Sequence, residues 1–139
     1  MTIQTRRTSP KYKDFYTNFN VKAKTTGRQT GDLYVLTDAD AVKTSIKNLV
    51  LTDSYERFFR PNLGGGIKRS LFSNISINTE AIIKTQIEYT IKNYEPRASL
   101  IEVYVNAVPD ENRYAVTIVF SLINSTVTEQ LDLILYRVR

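Results

Sequence analysis

Apolar and polar side chains alternate in three consecutive runs within residues 101–135, and no other feature of the sequence limits the fold as strongly. An alternation of period two places every second side chain on the same face of a β-strand. The face positions are Ile101, Val103, Val105 and Ala107 in the first run, Val116, Ile118, Phe120 and Leu122 in the second, and Val127, Glu129, Leu131, Leu133 and Leu135 in the third. Because short turns join the runs at residues 109–113 and 124–126, the strands are predicted to form an antiparallel meander.

Two amphipathic helices are predicted ahead of these strands. The first spans residues 40–51 and takes either Asp38 or Asp40 as its N-cap. The second is longer and spans residues 79–94, with Asn78 as its N-cap. Their apolar stripes consist of Val42, Ile46, Leu49 and Val50 in the first helix and Ile83, Ile87, Ile91 and Tyr94 in the second. Each helix therefore has one face that requires burial against the sheet.

The predicted fold class is α+β, with two main helices packed on a three-stranded antiparallel C-terminal meander and an extended N-terminal arm. Residues 1–28 are predicted to form the arm and residues 29–139 a single domain. The charges support this division, because residues 1–28 hold seven basic side chains and one acidic one, whereas the whole chain has a formal net charge of +5. Between the helices, Pro61 and the glycines at 64–66 favour a loop, and a short helical turn is predicted over residues 67–72.

The composition excludes several classes of enzyme. The chain contains no histidine and no cysteine, which excludes Ser/His/Asp and Cys/His catalysis, HExxH zinc sites and thiolate metal sites. The acidic pairs Asp38 with Asp40 and Asp110 with Glu111 are typical of caps and turns. The longest apolar stretch, residues 115–123, is shorter than the roughly 20 residues that span a membrane. We therefore predict no catalytic, cofactor-binding or metal-binding residues and no membrane partner.

Aromatic and basic residues are interleaved in the N-terminal arm, where Tyr12, Phe15, Tyr16 and Phe19 are candidate partner-binding residues. Such a segment can bind single-stranded nucleic acid, with cations on phosphates and aromatic rings on bases. It can equally lie along another protein and bury its aromatic rings in grooves. The residue types do not separate these two interpretations.

Two further candidates are a turn and a strand edge. Pro96 ends the second helix and fixes Glu95 and Arg97 at a rigid corner, where the two charges either pair with a partner or brace the turn. The third strand, residues 126–136, is a candidate edge strand whose N–H and C=O groups could accept a strand from another chain. A shielded terminal edge is the alternative for that strand.

The order of these features resembles the baseplate wedge sheath-initiator family of contractile phage tails, which is related to a baseplate protein of type VI secretion systems. The resemblance covers roughly residues 30–136 and rests on AVKTSIKNLVLT (Ala41–Thr52), on ERFFRP (Glu56–Pro61) with the turn that leads to Leu71 and Phe72, on IKNYEPR (Ile91–Arg97), and on the three closing strands. One departure is the sequence Asn62, Leu63, Gly64, where the family pattern has a Phe-Gly step.

The resemblance implies a non-enzymatic structural protein of the virion, assembled in the host cytoplasm, that templates polymerisation of the tail sheath by β-strand exchange. It implies baseplate wedge proteins and the tail sheath protein as partners, the tail tube as a further candidate, and six copies per baseplate. The strand with Val127, Glu129, Leu131, Leu133 and Leu135 would be offered to the sheath, and Glu95, Pro96 and Arg97 would contact the wedge. Nucleic-acid binding through the arm is the alternative function, and a lysozyme-like glycoside hydrolase is a more distant one.

Overall fold

A computed structural model describes residues 11–15, 35–123 and 125–137 of the chain, which divides into two compact units, residues 1–42 and 43–139. In the described part of the first unit, strands β1 (Lys13–Phe15) and β2 (Val35–Thr37) pair antiparallel. The Asp38 carboxylate accepts hydrogen bonds from the backbone N–H groups of Lys11 at 2.8 Å and Tyr12 at 3.1 Å. These bonds hold the two short strands together at one end.

Helix α1 (Asp38–Leu51) begins two residues earlier than predicted and ends at the predicted residue. Its predicted apolar stripe is buried throughout, at Val42, Ile46, Leu49 and Val50. The helical spacing of those residues was therefore interpreted correctly. Its last turn continues into Thr52, whose hydroxyl donates to the carbonyl of Asn48 at 2.6 Å.

Helices α2 (Ile67–Leu71) and α3 (Ile77–Tyr94) follow the glycine-rich loop and pack against each other. The N-cap of α3 is Ser76, so the prediction of Asn78 was wrong. Ser76 has extended backbone angles, and its hydroxyl accepts the N–H of Thr79 at 3.2 Å, a geometry that Asn78, inside the first turn, cannot adopt. The C-terminal limit at Tyr94 agrees with the effect expected of Pro96.

The second unit contains one sheet of β3 (Ala98–Val108), β4 (Arg113–Leu122) and β5 (Thr128–Tyr136). The strand order is β3-β4-β5 and both pairings are antiparallel, which confirms the predicted meander. A 3₁₀ turn at Pro109–Glu111 joins β3 to β4. Helix α3 packs against β3, and the α+β fold class is confirmed. The core side chains of the sheet are Val103, Tyr114, Val116, Ile118, Phe120, Leu133 and Leu135.

Two predicted strand positions differ from the structure. Ile101 is 56% exposed because the β3–β4 register shifts between Leu100 and Glu102, so that a β-bulge removes Ile101 from the alternation. Val127 is 60% exposed and precedes β5, since its N–H donates to the Ser125 hydroxyl at 3.2 Å and thus belongs to the turn. Neither difference changes the strand order.

Candidate interaction surfaces

The turn after α3 contains an internal ion pair. Glu95 is only 2% exposed, and its two carboxylate oxygens accept from Arg97 Nε at 2.6 Å and Arg97 Nη2 at 2.7 Å. Pro96, between them, is exposed. Of the two roles considered from the sequence, bracing of the turn is therefore present in the structure, whereas a wedge contact stays a prediction.

The pKa of Glu95 reflects two opposing effects. Burial by itself raises the pKa of a carboxyl group, because it disfavours the charged form. Hydrogen bonds from Arg97 and Ser45, together with the positive charge of Arg97, outweigh burial and hold the pKa of Glu95 below its ordinary value. Glu95 is therefore ionised at neutral pH in a buried site because Arg97 and Ser45 together stabilise its charge.

Two backbone hydrogen bonds establish which groups of β5 face away from the sheet. Arg137 N–H donates to the Asn112 carbonyl at 2.8 Å, in the register that also pairs Tyr136 with Arg113. Successive residues of an antiparallel strand point their N–H and C=O groups alternately toward and away from the neighbouring strand. The odd-numbered residues of β5 therefore bond to β4, and the even-numbered residues direct their N–H and C=O groups to the free edge.

A hydrogen bond at the opposite end of the sheet leads independently to the same assignment of inward and outward backbone groups. Ile123 N–H donates to the Arg97 carbonyl at 3.0 Å, so odd-numbered residues of β4 bond to β3 and even-numbered residues bond to β5. The β4–β5 register pairs each even-numbered residue of β4 with an odd-numbered residue of β5. The outward backbone groups of β5 are thus those of Thr128, Gln130, Asp132, Ile134 and Tyr136.

The β5 residues that the sequence predicted to bind the sheath are instead the odd-numbered ones. Leu133 and Leu135 are buried, Leu131 is half-buried, and Glu129 forms an ion pair with Lys43 at 2.7 Å. Their side chains attach β5 to the domain, and their backbone groups bond to β4. Sequence reasoning thus identified the strand but missed the residues at its free edge, because an alternating pattern does not specify the direction of backbone groups.

The other edge of the sheet is partly covered. On β3 the odd-numbered residues between 103 and 107 direct their backbone N–H and C=O groups away from β4. The N–H of one of them, Ala107, donates to the Glu80 carboxylate at 2.8 Å. Glu80 belongs to α3, which packs against β3. In contrast, no described residue accepts an N–H group from the even-numbered positions of β5. The two edges of the sheet therefore differ in their capacity to add a strand.

Glu80→Ala is expected to expose the Ala107 amide. A hydrogen bond to a charged carboxylate contributes about 1.5–3 kcal/mol, so exchange of the Ala107 amide hydrogen should accelerate roughly ten- to a hundredfold. Hydrogen exchange followed by NMR measures this. Glu88→Ala is the control, because Glu88 is on the same helix and, among the described residues, forms an ion pair only with Lys84, at 4.0 Å. Unchanged protection of Ala107 would contradict the assigned role of Glu80.

The candidate residues of the arm are only partly described. Tyr12 is half-buried, with the Lys11 ammonium 5.4 Å from its ring centroid, and Phe15 is 61% exposed in β1. Tyr16 and Phe19 lie outside the described residues. A partner-binding role for the four residues of the arm therefore stays a prediction.

Comparison with known proteins identifies the family of the chain. The model of the family described as baseplate wedge protein gp25 matches residues 37–127, well over half of the chain. The chain belongs to this family. The matched residues include α1, α2, α3, β3 and β4 and stop immediately before β5.

Three relatives illustrate the similarity. The baseplate wedge protein gp25 of Enterobacteria phage T4 is 33% identical over 85 residues, which are 61% of this chain and 64% of the T4 protein. The match thus covers less than two thirds of that relative. A putative tail lysozyme from Geobacter sulfurreducens superposes with a TM-score of 0.69 at 26% identity, over 76% of this chain and 97% of that one. A chain of the six-fold symmetrised anti-feeding prophage baseplate has a TM-score of 0.52 at 25% identity, over 76% of this chain and 73% of that one.

Asp38 and Glu111, one from each of the two acidic pairs in the sequence, have local partners in this member of the gp25 family. Asp38 accepts the two amides near β1, and Glu111 pairs with Arg113 at 2.6 Å. Within the described residues, no cluster of three or more acidic side chains could hold a metal ion. The same part of the chain includes no helix with the length and apolarity to cross a membrane.

Proposed function

We propose that this protein is a non-enzymatic structural component of the baseplate wedge in a contractile phage tail, and that β5 starts polymerisation of the tail sheath by β-strand exchange. The observation that carries the proposal is the outward row of N–H and C=O groups on β5. An incoming strand would complete these hydrogen bonds and extend the sheet by main-chain pairing. Membership of the gp25 family supports the location in the baseplate.

The difference between the two sheet edges supports a directional joint. Glu80 occupies an outward amide of β3, while the described residues leave the corresponding amides of β5 unpaired. A strand added at the β5 edge would form the same joint in every copy of the protein, which suits a template repeated around a ring. The six-fold symmetry of the anti-feeding prophage baseplate supports the proposal of six copies.

The turn at Glu95, Pro96 and Arg97 is the proposed contact with other wedge proteins. Because Glu95 is buried by its pair with Arg97, the contact would use the exposed Pro96 and the solvent-facing side of Arg97. The ion pair then serves to hold this exposed corner in one conformation.

Site-specific cross-linking tests the joint with the sheath. The chain has no cysteine, so Ile134→Cys introduces a single thiol on the half-exposed side chain of an outward-facing residue. A benzophenone attached to that thiol is expected to cross-link to the sheath protein in assembled tails. Glu102→Cys, on the exposed face of β3, is the matched control and is expected to give little sheath adduct. Equal sheath adducts at both positions, or none at residue 134, would refute the proposal.

A further inference from the structure

A second surface lies on the loop between α1 and α2, residues 53–66, here called the aromatic loop. Phe58 is 99% exposed, Phe59 is 100% exposed, and Tyr55 is 79% exposed. Burying a phenylalanine side chain contributes roughly 1.5–3 kcal/mol, so a partner that covered these two neighbouring, hydrated rings would be bound more tightly. Exposed aromatic groups collected at one place are typical of a protein interface.

The aromatic loop is held in shape by its own backbone. Tyr55 N–H donates to the Pro61 carbonyl at 2.8 Å, Arg60 N–H to the Arg57 carbonyl at 3.1 Å, and Leu63 N–H to the Arg60 carbonyl at 3.0 Å. The Tyr94 hydroxyl of α3 donates to the Asn62 carbonyl and attaches the loop to the helix. A surface that is ordered before binding loses less conformational entropy when a partner docks.

The end of the loop needs glycine. Gly64 has φ +122°, and a Cβ there would lie 2.5 Å from the Thr52 carbonyl oxygen. The loop therefore returns directly over the end of α1, at a distance that no other residue type permits. This close approach fixes the end of the aromatic loop against the end of α1.

The charges beside the rings indicate the chemistry of the partner. Arg57 and Arg60 flank the two phenylalanines, both are exposed, and neither forms a salt bridge with a described carboxylate. Glu56 is instead engaged by Lys68 at 3.7 Å and by the Asp53 backbone N–H at 2.9 Å. Two exposed guanidinium groups beside apolar rings are complementary to carboxylates beside apolar side chains.

An open groove next to the loop provides a place for an apolar side chain. Its lining includes Phe59, Leu63 and Tyr94, and its volume is about 300 Å³. Arg60 also lines this groove, so an apolar group seated in it would place a neighbouring carboxylate near a guanidinium. The groove thus shares Phe59 and Arg60 with the aromatic loop, and all of its lining residues belong to the second unit.

We infer that the aromatic loop is a docking surface for an acidic, apolar segment of another protein, which inserts an apolar side chain beside Phe59 and pairs its carboxylates with Arg57 and Arg60. The groove beside Phe59 favours a protein segment with an apolar side chain over a polyphosphate backbone, which carries none. The inference uses no residue of β5 and is therefore independent of the strand-exchange proposal.

Fluorescence polarisation with the full-length protein tests this inference. The probes are a labelled peptide of alternating Glu and Leu, the same peptide with Lys in place of Glu, and labelled oligo-dT. We expect the native protein to bind the Glu-Leu peptide at least about tenfold more tightly than either other probe. A protein that binds no probe, or that prefers oligo-dT or the Lys peptide, would overturn the inference.

Charge reversal and ring removal extend the test. The double variant Arg57→Glu, Arg60→Glu is expected to bind the Lys peptide more tightly than the Glu-Leu peptide. The double variant Phe58→Ser, Phe59→Ser is expected to bind the Glu-Leu peptide at least about tenfold more weakly than the native protein does. Ile77→Ser is the matched control, since Ile77 is 82% exposed on α3 and is expected to leave binding unchanged. All replaced side chains are exposed, so circular dichroism should report an unchanged fold. Binding that is insensitive to both loop variants would also overturn the inference.

Discussion

Ile134→Pro is expected to leave the domain folded and to abolish its capacity to start a sheath. The N–H of Ile134 points to the free edge of β5, so a proline there removes a group that bonds to no described residue. Proline is tolerated in edge strands when the missing N–H faces outward, and its ring blocks the approach of a further strand. Electron microscopy of tails assembled with the variant should show baseplates and tubes without contracted or extended sheath.

Two variants at and beside this position separate folding from strand exchange. Ile134→Thr changes the same half-exposed side chain but retains the N–H, so it should support normal sheath assembly. Leu133→Pro removes an N–H that bonds to β4 and a side chain that is only 7% exposed, and it should unfold the domain. Normal numbers of sheathed tails from a folded Ile134→Pro protein would refute the proposed role of β5.

Arg97→Met is expected to cost about 3–5 kcal/mol of folding free energy at neutral pH. The substitution leaves the Glu95 carboxylate buried without its cation, and an uncompensated buried charge is among the most destabilising changes in a protein. Urea unfolding measures the loss. Arg113→Met is the matched control, because its partner Glu111 is more than half exposed and remains hydrated, so the expected cost is below about 1 kcal/mol.

The pH dependence distinguishes this mechanism from a simple loss of packing. In the native protein the pKa of Glu95 is lowered from 4.5, so its stabilising contribution is complete above that pH and is lost as the pH falls through the lowered pKa. In the variant without Arg97, burial is instead expected to raise the pKa of Glu95. The carboxyl group then becomes protonated as the pH falls, which removes the buried charge and its cost in folding free energy. The difference in stability between the two proteins should therefore be largest at neutral pH and smaller near pH 4.5. A difference that is constant with pH would indicate lost packing only.

Much of the fold follows from local patterns in the sequence. Helical spacing identified the buried stripe of α1 and the buried isoleucines of α3, although Tyr94, also predicted for that stripe, is only half-buried. Period-two alternation identified the three strands, and Pro96 located the end of α3. These features depend on interactions between residues close in the chain, so a single sequence contains the information. The N-cap of α3 was misplaced because Ser76 and Asn78 are both good capping residues, and only the backbone angles distinguish them.

The properties that matter for assembly depend instead on residues far apart in sequence. The bulge that exposes Ile101 arises from the pairing of two strands. Which residues of β5 direct their backbone groups to the free edge follows from the register of β5 with β4. Glu80 meets the Ala107 amide across 27 positions of sequence, and the free edge of β5 is defined only by what the rest of the domain leaves unpaired. The sequence thus determined which segments become helices and strands through short-range periodicity. Only the tertiary structure decided which backbone groups, rings and charges remain available to partners, because availability is what remains after long-range packing is complete.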